Sequence, residues 1–220
     1  MTRARTLLFD LDGTLTDNYA GIAASIRHAL ARLAALEPSD AALRTCVGPP
    51  LRDSFARLLA TTDTAVVERA VAHYRERFSD VGWSENVAYP GIADALAALA
   101  GRGTTMYVCT AKPETFARRI IDHFGFAPYF RAVYGADFGG KFDDKATLMA
   151  HLLATERVPP AVSIMIGDRH HDIRAARANG VGAIGVLWGY GSRDELADAD
   201  ALLIAPAELT GLAGFAHDRG

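Results

Sequence analysis

The feature that most constrains the fold is a series of short apolar runs without polar alternation. They are Thr6 to Phe9, Thr105 to Cys109, Ala132 to Tyr134, Val162 to Ile166, Ala183 to Leu187 and Ala201 to Ile204. A run of this kind predicts a strand buried on both faces. Between most of them lie Ala-rich or amphipathic stretches of helical length: Ile92 to Ala100, Glu114 to Phe124, Ala146 to Glu156 and His171 to Asn179. Strand and helix in alternation predict an α/β fold, a parallel sheet with helices on both faces. One part departs from this pattern. Residues 18–84 hold no convincing strand, only the helical patterns Ala20 to Leu36, Leu51 to Leu59 and Ala65 to Phe78, with a turn at Val47-Gly48-Pro49-Pro50. The expectation is a core built from residues 1–17 and 85–220, with an all-helical domain, 18–84, inserted after the first strand.

Composition narrows the function classes. Half of the 220 residues are hydrophobic, enough for a sizeable core, and the formal charge of -3 attracts neither nucleic acid nor anionic lipid. The partner expected is a small molecule, with the protein a monomer or homodimer. Cys46 and Cys109 lie far apart with no CxxC spacing, which predicts reduced core thiols rather than a disulfide framework or zinc site. Arg3 and Arg5 precede only three apolar residues before Asp10, too few for a signal sequence, so a soluble cytoplasmic protein is expected.

The chemistry concentrates where apolar runs end. The stretch TLLFDLDGTLTD closes its run with Asp10, repeats an acid at Asp12 and turns on Gly13. In open parallel sheets ligands sit outside the carboxyl ends of the strands. Two carboxylates that close require a cation or a shared proton, and magnesium fits as a hard ion that prefers oxygen ligands. Taken alone, DxDG is ordinary turn chemistry. A second cluster, IMIGDRHHD, again ends a run in Gly-Asp, placing Asp168 and Asp172 four residues apart. A helix N-cap accounts for one of these acids but not for both clusters. Tyr107-Val108-Cys109-Thr110 ends in a hydroxyl before Ala111-Lys112-Pro113, so Thr110 and the backbone N–H groups near Ala111 are candidates for phosphate oxygens. Lys145 in KFDDKATLM sits near a helix start, where the dipole disfavours a cation.

Together these residues resemble the haloacid dehalogenase-like phosphohydrolases, in particular the phosphoglycolate phosphatase-like branch. DLDGTLTD matches the first motif, CTAKP the second, Lys145 the third and GDRHHDIRAARANG the fourth; VLWGYGSRDEL resembles the stretch after the fourth. The resemblance implies a Rossmann-like core, a cap domain in the helical insertion and a magnesium-dependent phosphatase. Asp10 would be the nucleophile that forms an aspartyl-phosphate and Asp12 the general acid and base. Asp10, the backbone carbonyl of Asp12 and Asp168 would hold the metal, with Asp172 in or beside its shell, while Thr110 and Lys145 offset phosphoryl charge. Many members carry the third-motif lysine in a Lys-Pro pair; here Lys141 is the alternative to Lys145. The adjacent His170 and His171 are expected to point apart and not to bind zinc.

Within that resemblance the substrate stays open. Phosphoglycolate is the branch-level expectation, with 5'-nucleotides or sugar phosphates as alternatives, and Arg52 after the stiff Gly48-Pro49-Pro50 turn is the candidate for an anionic leaving group. A dehalogenase of the same fold would lack Asp12, and the return of a phosphoryl group by a mutase needs groups not identified here. From a different class, a phospho-acceptor switch that is not turned over also combines acids, Thr and Lys on a parallel sheet.

Overall fold

A computed structural model describes residues 6–139 and 142–214. They form two compact units, one of residues up to Thr16 and from Ala88 onward, the other of Asp17–Val87.

The first unit opens with β1 (Thr6–Phe9), and β2 (Thr16–Asp17) leads out of it. The second unit is helical: α1 (Tyr19–Arg32), α2 (Asp40–Arg44), α3 (Leu51–Leu58), α4 (Thr64–Arg77) and a π-helical turn, Phe78–Gly82. α1 ends four residues before the predicted Leu36, because Ala34 turns to positive φ and Pro38 follows. The short α2, capped by Ser39, has too few residues to show a helical period. The core of this unit is built from Ile22, Ile26, Leu30, Phe55, Val71, Tyr74 and Phe78, with Tyr74 and Phe78 stacked at 5.2 Å.

β3 (Val87–Ala88) pairs with β2 as a two-stranded sheet where the chain returns. Then follow α5 (Ile92–Gly101), β4 (Thr105–Pro113), α6 (Glu114–His123), β5 (Ala132–Ala136), α7 (Lys145–Glu156), β6 (Ser163–Gly167), α8 (His170–Ala178), β7 (Gly182–Val186) and β8 (Ala201–Leu203). The six longer-range strands form one sheet in the order β5-β4-β1-β6-β7-β8, every pair parallel. Each apolar run of the sequence is one of these strands, with ends shifted by a residue or two. The exception is β4, which continues through Thr110 to Pro113 across a slip in its pairing with β5.

The sheet is buried on both faces, as its sequence requires. Leu8, Tyr107, Cys109, Met165 and Ala183 pack with Leu148, Met149 and Leu152 of α7 and Ile173 and Ala176 of α8. Their alternates Leu7, Phe9, Val108, Ile164 and Ile166 are equally buried and, by the two-residue period, point to the opposite face. From β1 the chain moves outward to β4 and β5, then crosses back to β6, β7 and β8. Right-handed crossovers in opposite directions put the two sets of helices on opposite faces. Register aligns Phe9 with both Val108 and Ile166, so Asp10, Thr110 and Asp168 all emerge at the carboxyl edge of neighbouring strands.

Two glycines separate propensity from packing. A Cβ on Gly21, inside α1, would run into the carbonyl oxygen of Gly82 and approach that of Glu85 at 3.2 Å. Gly101, closing α5, has nothing within 4 Å of such a Cβ. Helix propensity favours alanine at an interior site by about 1 kcal/mol. We predict that Gly21→Ala destabilises the protein by about 1–3 kcal/mol despite that gain, as overpacking does. Gly101→Ala should be neutral or stabilise by up to about 1 kcal/mol. Urea unfolding of both variants checks the pair, and a stabilised Gly21→Ala would contradict the packing.

Candidate active site

Asp10 continues the ladder beyond β1, its N–H donating to the carbonyl of Ile166 at 2.9 Å. The chain then turns tightly: Gly13 donates to Thr16 O at 2.8 Å and Leu15 to Leu11 O at 2.9 Å. Gly13 has φ 85°, and a Cβ there would strike the Asp168 carboxylate, so glycine is required twice over. The turn returns Asp12 to the same edge of the sheet, where it is buried with Asp10.

Asp168 and Asp172 arrive from β6 and α8. Asp168 Oδ2 accepts the Tyr190 N–H at 2.8 Å, and Thr14 Oγ1 lies 3.4 Å from Oδ1. Trp188 Nε1 donates to Thr14 O at 3.0 Å, so the VLWGYG loop holds both the first turn and the fourth-motif acid in place. Asp168 is not the N-cap of α8, since Arg169 occupies that position and its N–H donates to Asp172 Oδ2 at 3.0 Å. Gly167 has no side chain because a Cβ there would meet the Asp172 carboxylate.

Two buried lysines face these acids. Lys145 opens α7 behind its cap Asp144, and its ammonium lies 3.0 Å from Asp10 Oδ1 and 2.5 Å from Asp172 Oδ1. The cation disfavoured by the helix dipole is therefore held by two carboxylates. Burial opposes its charge, but Asp10 and Asp172 outweigh it and raise the Lys145 pKa. The second is Lys112, which pairs with Asp12 Oδ2 at 2.6 Å. It stands inside the quoted CTAKP motif, yet sequence reasoning assigned it no role, because the slip in β4 that redirects its side chain has no periodic signature. Lys141, the alternative phosphate lysine, lies outside the described residues.

Asp10, Asp168 and Asp172 each present an oxygen within 4.8 Å of the others, a grouping able to hold a metal ion. Three observations fit a hard divalent cation there. The donors are all carboxylate oxygens. Asp10 Oδ1 is buried and, although beside Lys145, accepts no hydrogen bond among the described residues. Among the described residues, the four buried acids of the site outnumber its two buried lysines by two, an imbalance that one such ion would neutralise. Burial raises the Asp168 pKa well above the ordinary carboxylate value, reinforced by Asp10 and Asp172. Burial likewise raises Asp172 to about 6 against the pull of Lys145, and raises Asp12 against that of Lys112.

The other candidates are also placed. Thr110 is buried at the end of the regular pairing of β4, and its Oγ1 accepts the Lys112 N–H at 3.3 Å; Ala111 follows it in the slip. Arg52 lies in the helical unit, on α3, paired with Glu68 of α4 at 2.5 Å. His170 and His171 do not point apart: their rings lie 3.8 Å from each other. Glu195 holds His170 Nδ1 at 3.0 Å and Arg169 Nε at 2.8 Å, fixing one ring against the other. Burial and the neighbouring His170 lower His171 to about 4, so it is neutral, and neither histidine joins the metal-binding group among the described residues. Cys46 and Cys109 are free and buried, and burial pushes Cys109 up to about 12, an inert thiol. No described helix is long and apolar enough to cross a membrane.

Residues 7–186 match the family model of haloacid dehalogenase-like hydrolases. The chain belongs to that family. It is 48% identical over 194 residues to a 5'-nucleotidase of Pseudomonas aeruginosa, covering 88% of this chain and 87% of the other. It is 40% identical over 188 residues to tyrosine-protein kinase PtkA of Mycobacterium tuberculosis, covering 86% of this chain but 64% of the kinase. A predicted phosphatase from Clostridium acetobutylicum superposes with a TM-score of 0.91 at 34% identity, covering 96% of this chain and 98% of that one. Within the family, the chain falls in the phosphoglycolate phosphatase-like branch that its motifs resemble.

The raised pKa of Asp168 sets a pH dependence with a definite sign. A carboxylate whose folded-state pKa exceeds its unfolded value burdens the metal-free fold once pH rises above the folded value, and the burden is relieved as pH falls. A cation takes the place of the proton. We therefore expect magnesium or manganese to raise the melting temperature of chelated protein more at about pH 7.5 than at about pH 5. Scanning fluorimetry reads this, and Asp168→Asn should remove most of the gain.

Proposed function

We propose that this protein is a magnesium-dependent phosphatase acting on small phosphomonoesters through an aspartyl-phosphate on Asp10. The observation that carries the reading is the division between two neighbouring acids. Asp10 sits in the metal-binding group beside Lys145, while the side chain of Asp12 stands outside that group and pairs with Lys112. A carboxylate among cations can approach a phosphate dianion, and a carboxylate off the metal is free to exchange protons.

In the first half-reaction an oxygen of Asp10 bonds to phosphorus, the ester P–O bond breaks, and the leaving oxygen takes a proton from Asp12. In the second a water oxygen bonds to phosphorus, the acyl-phosphate P–O bond breaks, and Asp12 takes the water proton. Asp10 is restored and inorganic phosphate leaves. Lys145, Thr110 and the N–H groups near Ala111 would offset charge on the transferring group. Bound among Asp10, Asp168 and Asp172, with the Asp12 carbonyl, magnesium would neutralise charge between nucleophile and phosphate.

A 5'-nucleotide is the first substrate class to test, because a relative 48% identical is named a 5'-nucleotidase. Phosphoglycolate and sugar phosphates come next. The helical unit would serve as the cap that selects among them, with Arg52 a candidate contact for an anionic leaving group once released from Glu68. A second reading has the same phosphoenzyme pass its phosphoryl group to a tyrosine hydroxyl rather than to water. The likeness to PtkA favours it. A phosphoenzyme that persists without turnover would favour the switch reading instead.

Free phosphate released from a panel of phosphomonoesters with magnesium tests the proposal. Asp10→Asn should abolish release while leaving the fold intact, since an amide does not attack phosphorus. Asp12→Asn should be severely slowed and should retain phosphoenzyme, which Asp10→Asn cannot form. Lys145→Ala should lose about 10²-fold or more in turnover, the scale of a preorganised charge stabiliser. Turnover by Asp10→Asn near the parent rate, or full activity after exhaustive chelation, would remove the metal-assisted nucleophile.

A further inference from the structure

Lys112 is buried, a placement that calls for a partner to its amine. Its ammonium meets Asp12 Oδ2 at 2.6 Å, with the two side chains only 5% and 10% exposed. Three features of the backbone deliver it there. The pairing of β4 with β5 slips between Thr110 and Pro113, and a bulge beside a site re-aims the side chain it carries. The Lys112 N–H donates to Thr110 Oγ1 at 3.3 Å. Opposite the slip stands Gly135, where a Cβ would meet the Lys112 carbonyl oxygen at 2.5 Å and the Glu114 nitrogen at 2.7 Å. At the far end of the contact the two oxygens of Asp12 differ. Oδ2 is held by Lys112, while Oδ1 is buried and accepts no hydrogen bond among the described residues.

We propose that Lys112 is a positioning residue for Asp12, its ammonium fixing one carboxylate oxygen so that the other is presented for proton exchange. The proposal rests on the phosphatase reading of this site. It assigns the two buried lysines to different tasks. Lys145, against Asp10, serves formation of the Asp10–phosphorus bond and loss of the ester oxygen. Lys112, through Asp12, serves both proton transfers, to the ester oxygen as it leaves and from water as the acyl-phosphate bond breaks.

p-Nitrophenyl phosphate separates these steps, because nitrophenolate leaves without needing a proton and only the second step then depends on Asp12. With magnesium-loaded full-length protein, Lys112→Met should give a rapid burst of nitrophenolate followed by slow turnover. Its kcat should fall by about 10²-fold, the scale of general acid–base catalysis, with KM no higher than in the parent and phosphoenzyme accumulating. Lys112→Arg, which keeps a cation, should recover most of the second step. Gly135→Ala, which keeps the lysine but displaces the slip, should reproduce the burst in weaker form. Lys145→Met should show no burst, since its defect precedes phosphoenzyme formation.

A rise in KM of about tenfold with kcat kept would make Lys112 a ligand of the substrate. Unchanged kinetics would make it a packing residue, and a loss of kcat without a burst, shared by Lys112→Arg, would make it a structural prop. Each of these overturns the assignment while leaving the phosphatase reading standing. An inactive parent protein overturns both.

Discussion

Four buried carboxylates at one edge of a parallel sheet are the constraint around which the first unit is arranged. Left without cations they would repel and draw protons: burial, reinforced by the neighbouring Asp10, raises the pKa values of Asp168 and Asp172. Lys145 between Asp10 and Asp172, and Lys112 against Asp12, supply internal counter-charge. Removing one member of a buried pair typically costs about 3–5 kcal/mol, because the other is left charged and unpaired. Much of the neighbouring backbone can be understood as making room for this cluster. Gly13 and Gly167 give up a Cβ to Asp168 and Asp172, and Gly189 does the same beside Asp168.

That cluster follows from strand register more than from any local motif. Phe9 aligned with Val108 and Ile166 fixes where three chains run out of sheet, and the residues immediately beyond them carry the chemistry. The arrangement belongs to the general rule for open α/β sheets, in which ligands sit beyond the carboxyl ends where crossovers diverge. Here the divergence lies at β1, which is followed outward on one side by β4 and on the other by β6. Asp10 stands at that point, flanked by the hydroxyl of Thr110 and the carboxylate of Asp168.

What could be read from the sequence has a common cause. The strands were legible because burial on both faces forces unbroken apolar runs such as Leu7-Leu8-Phe9, and the acids were legible because they end those runs. Features made by irregular backbone were not. Lys112 looked like any lysine in a turn until the slip between Thr110 and Pro113 pointed it inward. The ring contact of His170 and His171 depends on Glu195, more than twenty residues away in sequence, which no local pattern reveals. The early end of α1 depends on Ala34 adopting positive φ, a conformation alanine itself does not announce. Lys145 was conspicuous for the opposite reason. A cation at a helix start breaks a local rule, and local rules are broken where a site supplies the compensation.

The same physics separates chemistry from selection. Every group assigned to bond making or proton transfer is held by the sheet edge and its first turns, with side chains locked by burial and pairing. Such preorganisation leaves little for a substrate to induce at the reacting phosphorus, and it is indifferent to what lies beyond the ester oxygen. Discrimination among phosphomonoesters must then come from groups that are not locked. Under the proposed function Arg52 is a candidate of this kind: its ion pair with Glu68 is partly exposed, and exposed pairs contribute little. A site with a fixed reaction centre and exchangeable outer contacts can keep one chemistry while its substrate changes between relatives.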